Sequence, residues 1–203
     1  MRICLCLRGI HYRNDIKLNV DYRKSLENYK EKLIIPLEKK GYKVDIILFT
    51  YDSEIKENLI NDYNPFYYEF LPFNEMFVNS SWNRQIIFHR KTLETIKKIQ
   101  LENNFSYDYI INTRFDLKFN LEITNMNIDL SKFNIAFKHS SGNCDDNFWI
   151  FTNLYLNQLD KALENLYQRN AITHEINRHF NNDQINYMHQ GDYLYWSFLR
   201  IQN

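Results

Sequence analysis

Glycine, proline and cysteine are scarce in this sequence, and neither sign of charge is in excess. The 203 residues include 4 Gly, 3 Pro and 3 Cys, and 25 Lys and Arg balance 25 Asp and Glu. The absence of net charge argues against binding of nucleic acid or a membrane surface through bulk charge. Neither form of the glycine-rich phosphate loop occurs, so a dinucleotide oxidoreductase or Walker-type nucleotidase is not expected. No apolar run reaches the length of a transmembrane segment.

The few cysteines exclude two further classes of protein. Cys4 and Cys6 alternate along one predicted strand and are poor partners for each other, so no disulfide framework is expected. No Cys/His cluster has the spacing of a zinc site. The start of the chain lacks the charged region, apolar core and cleavage site of a signal peptide. We therefore expect a cytoplasmic protein in a reducing environment.

Aromatic residues, by contrast, are abundant, with 15 Tyr and 15 Phe. This composition is typical of a packed globular chain, and the length fits one domain over 1–203. Alternation of strand and helix patterns through the first 115 residues predicts right-handed crossovers and a largely parallel sheet. Periodicity predicts strands near 2–7, 44–49, 66–71, 109–114, 135–138 and 147–152. It predicts helices near 22–37 with a break at Pro36, near 54–60, from 81 onwards, near 156–166, and an exposed helix over 169–182.

The segment 107–117 is the most informative one. Its apolar middle predicts a buried strand, and Arg114 and Asp116 follow at the carboxyl end. Strand alternation places these two side chains on one side and Phe115 on the other. Ligands of open α/β sheets bind at this edge, where a carboxylate can hold a divalent cation and an arginine a phosphate oxygen. The alternative is a salt bridge that closes the strand end.

Other polar residues are predicted to share this edge. Arg8 and Gly9 end the first strand, and Thr50 and Asp52 end the second. Arg84, in the first turn of the long helix, can approach an anion there, although the same turn also reads as a simple helix cap. Together they favour a phosphate-binding site that is built from arginines rather than from a glycine-rich loop.

Asp145 and Asp146 form a second group, at a turn before an apolar strand. A desolvated carboxylate there can act as a general base towards a hydroxyl, or the pair can simply cap the turn. His189, in the run Met188-His189-Gln190-Gly191-Asp192, is a weaker candidate for a metal contact or a lid over the donor site. His89 falls on the apolar stripe of the long helix and is expected to be a core histidine.

Four segments together resemble the GT-A-fold nucleotide-sugar glycosyltransferases, especially small members from surface-polysaccharide clusters and large DNA viruses. The segments are ICLCLRG at 3–9, VDIILFTY at 44–51, YDYIINTRFDL at 107–117 and DDNFWIF at 145–151. The resemblance implies a single Rossmann-like GT-A domain of the α/β class, with a mixed, mainly parallel sheet flanked by helices. It also implies that 1–116 binds a nucleoside-diphosphate sugar and that 117–203 faces a glycan or other hydroxyl acceptor, as in polysaccharide biosynthesis.

The resemblance also suggests roles for individual residues. In that family a strand-end Asp-x-Asp motif binds a divalent metal that holds the sugar-nucleotide diphosphate. Here the aligned triplet is Arg114-Phe115-Asp116, which leaves one carboxylate, and Arg114 can itself neutralise part of the diphosphate. The implied cofactor is Mn²⁺ or Mg²⁺ on Asp116, with His189 as a C-terminal contact. Arg8 and Asp52 would lie near the nucleotide, and Asp145 or Asp146 near the acceptor hydroxyl, with the stereochemistry open.

Two other functions remain open at this point. One is a metal-dependent phosphohydrolase or nucleotidyltransferase, which requires Asp116, Asp145 and Asp146 to converge. The other is a catalytically silent domain that binds a nucleotide sugar or a glycan, which the missing first carboxylate of the metal motif favours.

Overall fold

A computed structural model of the chain describes residues 1–15, 18–72, 81–139 and 141–189. The predicted α/β class is confirmed: seven strands form a mixed, mainly parallel sheet with helices on both faces. The strands are β1 (Arg2–Gly9), β2 (Tyr12–Asp15), β3 (Leu18–Asp21), β4 (Lys43–Tyr51), β5 (Tyr67–Leu71), β6 (Tyr109–Arg114), β7 (Phe133–Phe137), β8 (Phe148–Phe151) and β9 (Ile185–His189).

The strand order of the sheet is β5-β4-β1-β6-β8-β7-β9, and β2 and β3 pair separately as a hairpin. Among the strands of the described residues, β8 alone runs antiparallel to the others in this sheet. From β1 the chain builds outwards to β4 and β5, and then returns to place β6 on the other side of β1. The crevice between β1 and β6 is therefore a topological switch point, the usual place for a ligand in an open α/β sheet.

The helices are α1 (Arg23–Tyr29), α2 (Ile35–Lys39), α3 (Lys56–Tyr63), α4 (Ser81–Glu102) and α5 (Leu156–Gln168). The break predicted at Pro36 is a π turn, Lys30–Ile34, that joins α1 to α2. The N–H of Ile35 reaches back to the carbonyl of Lys30, and this wider turn makes room for the proline ring. Gly41 then ends the helix at a positive φ of 80°, as predicted.

Strand alternation divides the core into two layers. Ile3, Leu5 and Leu7 of β1 pack with residues of α1, α2 and α3 on one face. Cys4 and Cys6 point the other way, towards α4 and α5. All three cysteines are free and buried, and burial raises the pKa of the Cys6 thiol to about 12.

The structure differs from the prediction in three places. Neither the β2–β3 hairpin nor β9 has a counterpart among the predicted elements. The helix expected over 169–182 is wrong: α5 ends at Gln168, Asn170 takes a left-handed conformation with φ 52°, and a 3₁₀ segment follows at Thr173–His179. Because Thr173 and Ile176 are buried, the segment packs onto the domain rather than standing exposed.

Strands from both predicted halves of the chain enter the same sheet, since β7, β8 and β9 extend the sheet beyond β6. Within the described ranges, no helix combines the length and apolar character needed to cross a bilayer.

Candidate functional site

Two arginines lie opposite each other at the switch point. Arg8 of β1 and Arg114 of β6 are direct partners in the parallel register. Arg8 is buried; its Nε donates to Oδ1 of Asn112 at 3.0 Å, and its Nη2 donates to the carbonyl of Asp146. Burial lowers the pKa of the Arg8 guanidinium to about 10, and the charge of Arg114 adds to this shift while Asp146 opposes it. Two neighbouring cations at one sheet edge favour an anionic ligand.

Arg114 and Asp116 share one side of the chain, as alternation predicted, while Phe115 enters the core. Nε and Nη2 of Arg114 each donate to a different oxygen of Asp116, both at 2.7 Å. Burial alone would lower the pKa of Arg114, but the ion pair outweighs burial and raises it. The side chains remain 21% and 11% exposed. The salt bridge considered as an alternative is therefore present, and it is a partly accessible one.

Asp146 comes to this edge from the opposite direction, because it precedes the antiparallel strand β8. Its buried carboxylate accepts a hydrogen bond from the Thr173 hydroxyl at Oδ2, over 2.6 Å, and Oδ1 lies 3.7 Å from Nε2 of His174. Nδ1 of His174 is 2.9 Å from the carbonyl of Cys144. A carbonyl only accepts, so Nδ1 carries a proton, and Nε2 is the ring nitrogen that faces Asp146.

Asp145 has a different environment from its neighbour. Its carboxylate accepts three hydrogen bonds, from the backbone N–H groups of Asn147 and Phe148 and from the Asn147 side chain. The indole N–H of Trp149 donates to its carbonyl at 2.9 Å. Burial and then repulsion from Asp146 raise the pKa of Asp145 to about 7, although the bonds from Asn147 oppose the shift. Asp145 therefore shapes the turn, and Asp146 faces Thr173 and His174.

A buried row of polar side chains supports Arg8 from behind. The Asn112 amide is 3.2 Å from Nδ1 of His89, and the His89 ring stacks on Trp149 with centroids 4.0 Å apart. Burial, with Arg8 adding to it, lowers the pKa of His89 well below its usual value, so the ring is neutral. His89 is the core histidine that the sequence predicted, and it fixes the orientation of Asn112.

Two residues at the end of β4 were predicted to bind the sugar donor: Thr50 is buried and Asp52 is exposed. The hydroxyl of Thr50 donates to the carbonyl of Gly9 at 2.6 Å and accepts from Nδ1 of His11 at 2.7 Å. Thr50 has no exposed surface, so it supports the strand end through its bond to Gly9. Gly9 itself has a φ of 94°, which favours glycine. The Asp52 side chain is 52% exposed and pairs with Lys56 at 3.0 Å.

Arg84 and His189, the remaining predicted site residues, lie on α4 and at the end of β9. Arg84 is half-buried in the first turn of α4, next to Gln85, whose Oε1 is 2.9 Å from the hydroxyl of Thr173. His189 ends β9 and pairs with Phe137. β9 is three strand positions from β6, a separation of about 14 Å, so His189 shares the edge but is not adjacent to Asp116. The rest of the predicted lid, 190–192, lies outside the described residues.

The predicted Mn²⁺ or Mg²⁺ site depends on the oxygen ligands that this edge of the sheet offers. Both carboxylate oxygens of Asp116 already accept from Arg114. Across the described part of the chain, no three His, Cys, Asp or Glu side chains are grouped so that they could hold an ion. In this arrangement the residues do not fit a Mn²⁺ or Mg²⁺ ion, which would require Asp116 to leave its partner. Metal binding therefore stays a prediction.

Sequence reasoning missed several residues that the structure brings to this site. Asn112 carried a signal, because a polar residue inside a buried strand needs a partner. Thr173 and His174 were hidden in the segment predicted as an exposed helix. His11 and Gln85 carry no local signal, since only the tertiary packing brings them to their partners.

No protein-family model matches the chain, and no curated protein matches it in sequence. Among solved structures, one described as a glycosyltransferase involved in the glycosylation of the major capsid of PBCV-1 is similar. The similarity covers 90% of this chain and 75% of the other, with 13% sequence identity and a TM-score of 0.47. A likeness of this size carries no argument about function, which has to come from the site.

Proposed function

We propose that the chain is a glycosyltransferase that moves a sugar from a nucleoside-diphosphate sugar to a glycan or other hydroxyl acceptor. The observation that carries the proposal is the pairing of Arg8 and Arg114 across the switch point, with the carboxylate Asp146 at the same edge. A diphosphate would relieve the repulsion between the two guanidinium groups. A carboxylate beside them can accept the proton of an incoming hydroxyl.

The donor diphosphate would bind at Arg114. Its planar guanidinium is partly exposed and already makes a two-pronged bond to a carboxylate, the geometry that also suits a phosphate. Arg8, held behind it by Asn112 and the carbonyl of Asp146, adds a second fixed positive charge. Because the charge on the leaving diphosphate grows as the glycosidic bond breaks, both charges lower the barrier to transfer.

Asp146 is the group we assign as general base. Its Oδ2 is held by Thr173, and its Oδ1 is directed at a ring nitrogen 3.7 Å away rather than tied into its own turn. The acceptor hydroxyl would give its proton to Oδ1 while its oxygen bonds to the anomeric carbon. The bond from that carbon to the diphosphate breaks, and its electron pair leaves with the diphosphate. Such a direct displacement inverts the anomeric configuration.

A dependence on Mn²⁺ or Mg²⁺ belongs to the same proposal as a separate question. It would mean that Asp116 exchanges Arg114 for the ion when the donor is bound. A metal-independent enzyme would keep the Arg114–Asp116 pair or pass Arg114 to the phosphate. Donor titrations with a chelator, and then with each ion restored, separate these outcomes.

The two alternative functions make different demands on the site. A metal-dependent phosphohydrolase or nucleotidyltransferase needs several carboxylates around an ion, and the described residues contain no such group. A silent sugar-binding domain would share the arginine pair but would not need a base. Loss of turnover with retained donor binding in an Asp146→Asn variant would distinguish an enzyme from a silent domain.

The proposal is tested by a thermal-shift screen of nucleoside diphosphates and nucleotide sugars, because a ligand bound only to the native state raises Tm by mass action. The best donor is then titrated against Arg114→Gln. We expect binding to weaken about 10- to 100-fold, since one or two charge-assisted bonds are lost. Arg2→Gln is the matched control: it removes another Arg–Asp pair, with Asp45, at the opposite end of β1. No shift with any donor, or equal weakening in both variants, would refute the proposed site.

A further inference from the structure

The hydroxyl of Thr173 lies between two acceptors. It is 2.6 Å from Oδ2 of Asp146 and 2.9 Å from Oε1 of Gln85, and Thr173 has no exposed surface. A hydroxyl has one proton to donate, so it cannot serve both oxygens at once. The two contacts therefore define a three-membered chain, Asp146–Thr173–Gln85, whose hydrogen bonds must run in one direction or the other.

Each direction corresponds to one charge state of Asp146. When Asp146 is ionised, Thr173 donates to Oδ2, and Gln85 turns its amide by 180° to donate to the threonine oxygen. When Asp146 carries a proton on Oδ2, it donates to Thr173, and Thr173 donates to Oε1 of Gln85. The chain is satisfied in both states, because a hydroxyl and an amide can each reverse their roles.

We propose that Thr173 and Gln85 are positioning residues for Asp146, which hold its Oδ2 in place while Oδ1 takes the acceptor's proton. The inference rests on the proposed function, in which Asp146 is the base. It adds that base strength at this site depends on two neutral side chains that touch neither the donor nor the acceptor. Oδ1 stays directed at His174, and in the proposed reaction it is the oxygen that takes the proton.

Titratable groups from several elements also lie near Asp146. Arg8 and Arg114 act from β1 and β6, and Asp145 acts from the same turn. His174 lies 3.7 Å from Oδ1, and His139, after β7, has its ring 5.5 Å from that of His174. Removing the neutral chain leaves all of these charges in place. Its effect can therefore be measured apart from theirs.

The test compares three variants. Thr173→Val keeps the shape but removes the hydroxyl, and Thr173→Ser keeps the hydroxyl and should rescue the loss. Gln85→Glu adds an acceptor that competes with Oδ2 for the Thr173 proton. Its charge also disfavours the ionised form of Asp146, so Thr173→Val is the variant that isolates the hydrogen bond. We expect Thr173→Val and Gln85→Glu to lower kcat about 10- to 100-fold with the donor KM unchanged. The acid limb of the kcat profile should move to higher pH by about one unit in both.

A direct readout makes the test independent of turnover. The carboxyl carbon of Asp146 is followed by NMR against pH, with its signal assigned by its absence in Asp146→Asn. The titration midpoint should rise in Thr173→Val and Gln85→Glu and return towards the wild type in Thr173→Ser. An unchanged midpoint with a lower Tm would reduce Thr173 to a packing residue and overturn the inference. A shifted midpoint in a protein that transfers no sugar would keep the hydrogen-bond chain and refute the proposed function.

Discussion

The buried histidine His11 should make the site sensitive to acid. Nδ1 donates to Thr50, whose own proton goes to the carbonyl of Gly9, and the Ser53 hydroxyl donates to Nε2, each ring contact spanning 2.7 Å. The ring is 1% exposed and packs against Phe115 with centroids 5.8 Å apart. A neutral ring satisfies every one of these bonds. A protonated ring would place a buried charge where Ser53 already donates.

The size of the effect follows from the pKa of His11. Burial lowers this pKa from 6.5 to about 4, against the opposing charges of Asp52 and Asp21. Because the folded-state pKa lies below the unfolded one, the neutral ring contributes stability above pH 6.5. That contribution is lost as the pH falls towards 4. At 1.36 kcal/mol for each unit of pKa, the loss between pH 7 and pH 4 is about 3 kcal/mol.

The assay is urea unfolding at several pH values for the wild type and His11→Asn, whose amide can still donate to Thr50. The variant should be less stable at pH 7 but should lose about 3 kcal/mol less on going to pH 4. Burial also lowers the pKa of His89, which adds a slope that both proteins keep. His179→Asn, which changes a less buried ring, is the control. Equal slopes in wild type and His11→Asn would refute this account of His11.

Three further predictions concern the core and the base. Asp146→Asn should lower the rate of sugar transfer at least about 100-fold while the donor Kd stays within about twofold, whereas Asp145→Asn should mainly lower Tm. Transfer kinetics and calorimetry distinguish the two variants, and equal effects would contradict the roles assigned to Asp146 and Asp145. The three buried thiols should react with a disulfide reagent at pH 8 only as fast as the protein unfolds, and faster labelling would show local opening. Trp149→Phe removes the bond to the Asp145 carbonyl and leaves a smaller ring to stack on His89, and should cost about 1–3 kcal/mol of unfolding free energy.

Local periodicity accounts for what the sequence predicted correctly. The alternation along β6 depends only on strand geometry, so Arg114 and Asp116 could be placed on one side and Phe115 in the core. The same period assigns the two faces of β1. The carboxyl edge followed from the order of strands and helices, and it contains the arginine pair.

Long-range contacts account for the site residues that the sequence did not predict. Thr173 reaches Asp146 because Asn170 ends α5 in a left-handed conformation and the chain turns back towards the sheet. Helical periodicity cannot report such a turn, since the same residues also fit a helix. The partner of Asp116 was also left open, because spacing alone does not decide between a salt bridge and a metal. That choice depends on the charges around the strand end.

Those charges lead to a last prediction. At this edge the cations Arg8 and Arg114 lie near the carboxylates of Asp116 and Asp146. Arg114→Asp would remove one cation and recreate two carboxylates, Asp-Phe-Asp, at the strand end. We expect the variant to bind Mn²⁺, measured by the loss of free-ion EPR signal, and to bind the donor only with the ion present. Arg114→Asn is the control that removes the cation without adding a ligand. If Arg114→Asp binds no more Mn²⁺ than Arg114→Asn, the identity of residue 114 does not determine how this edge neutralises a phosphate.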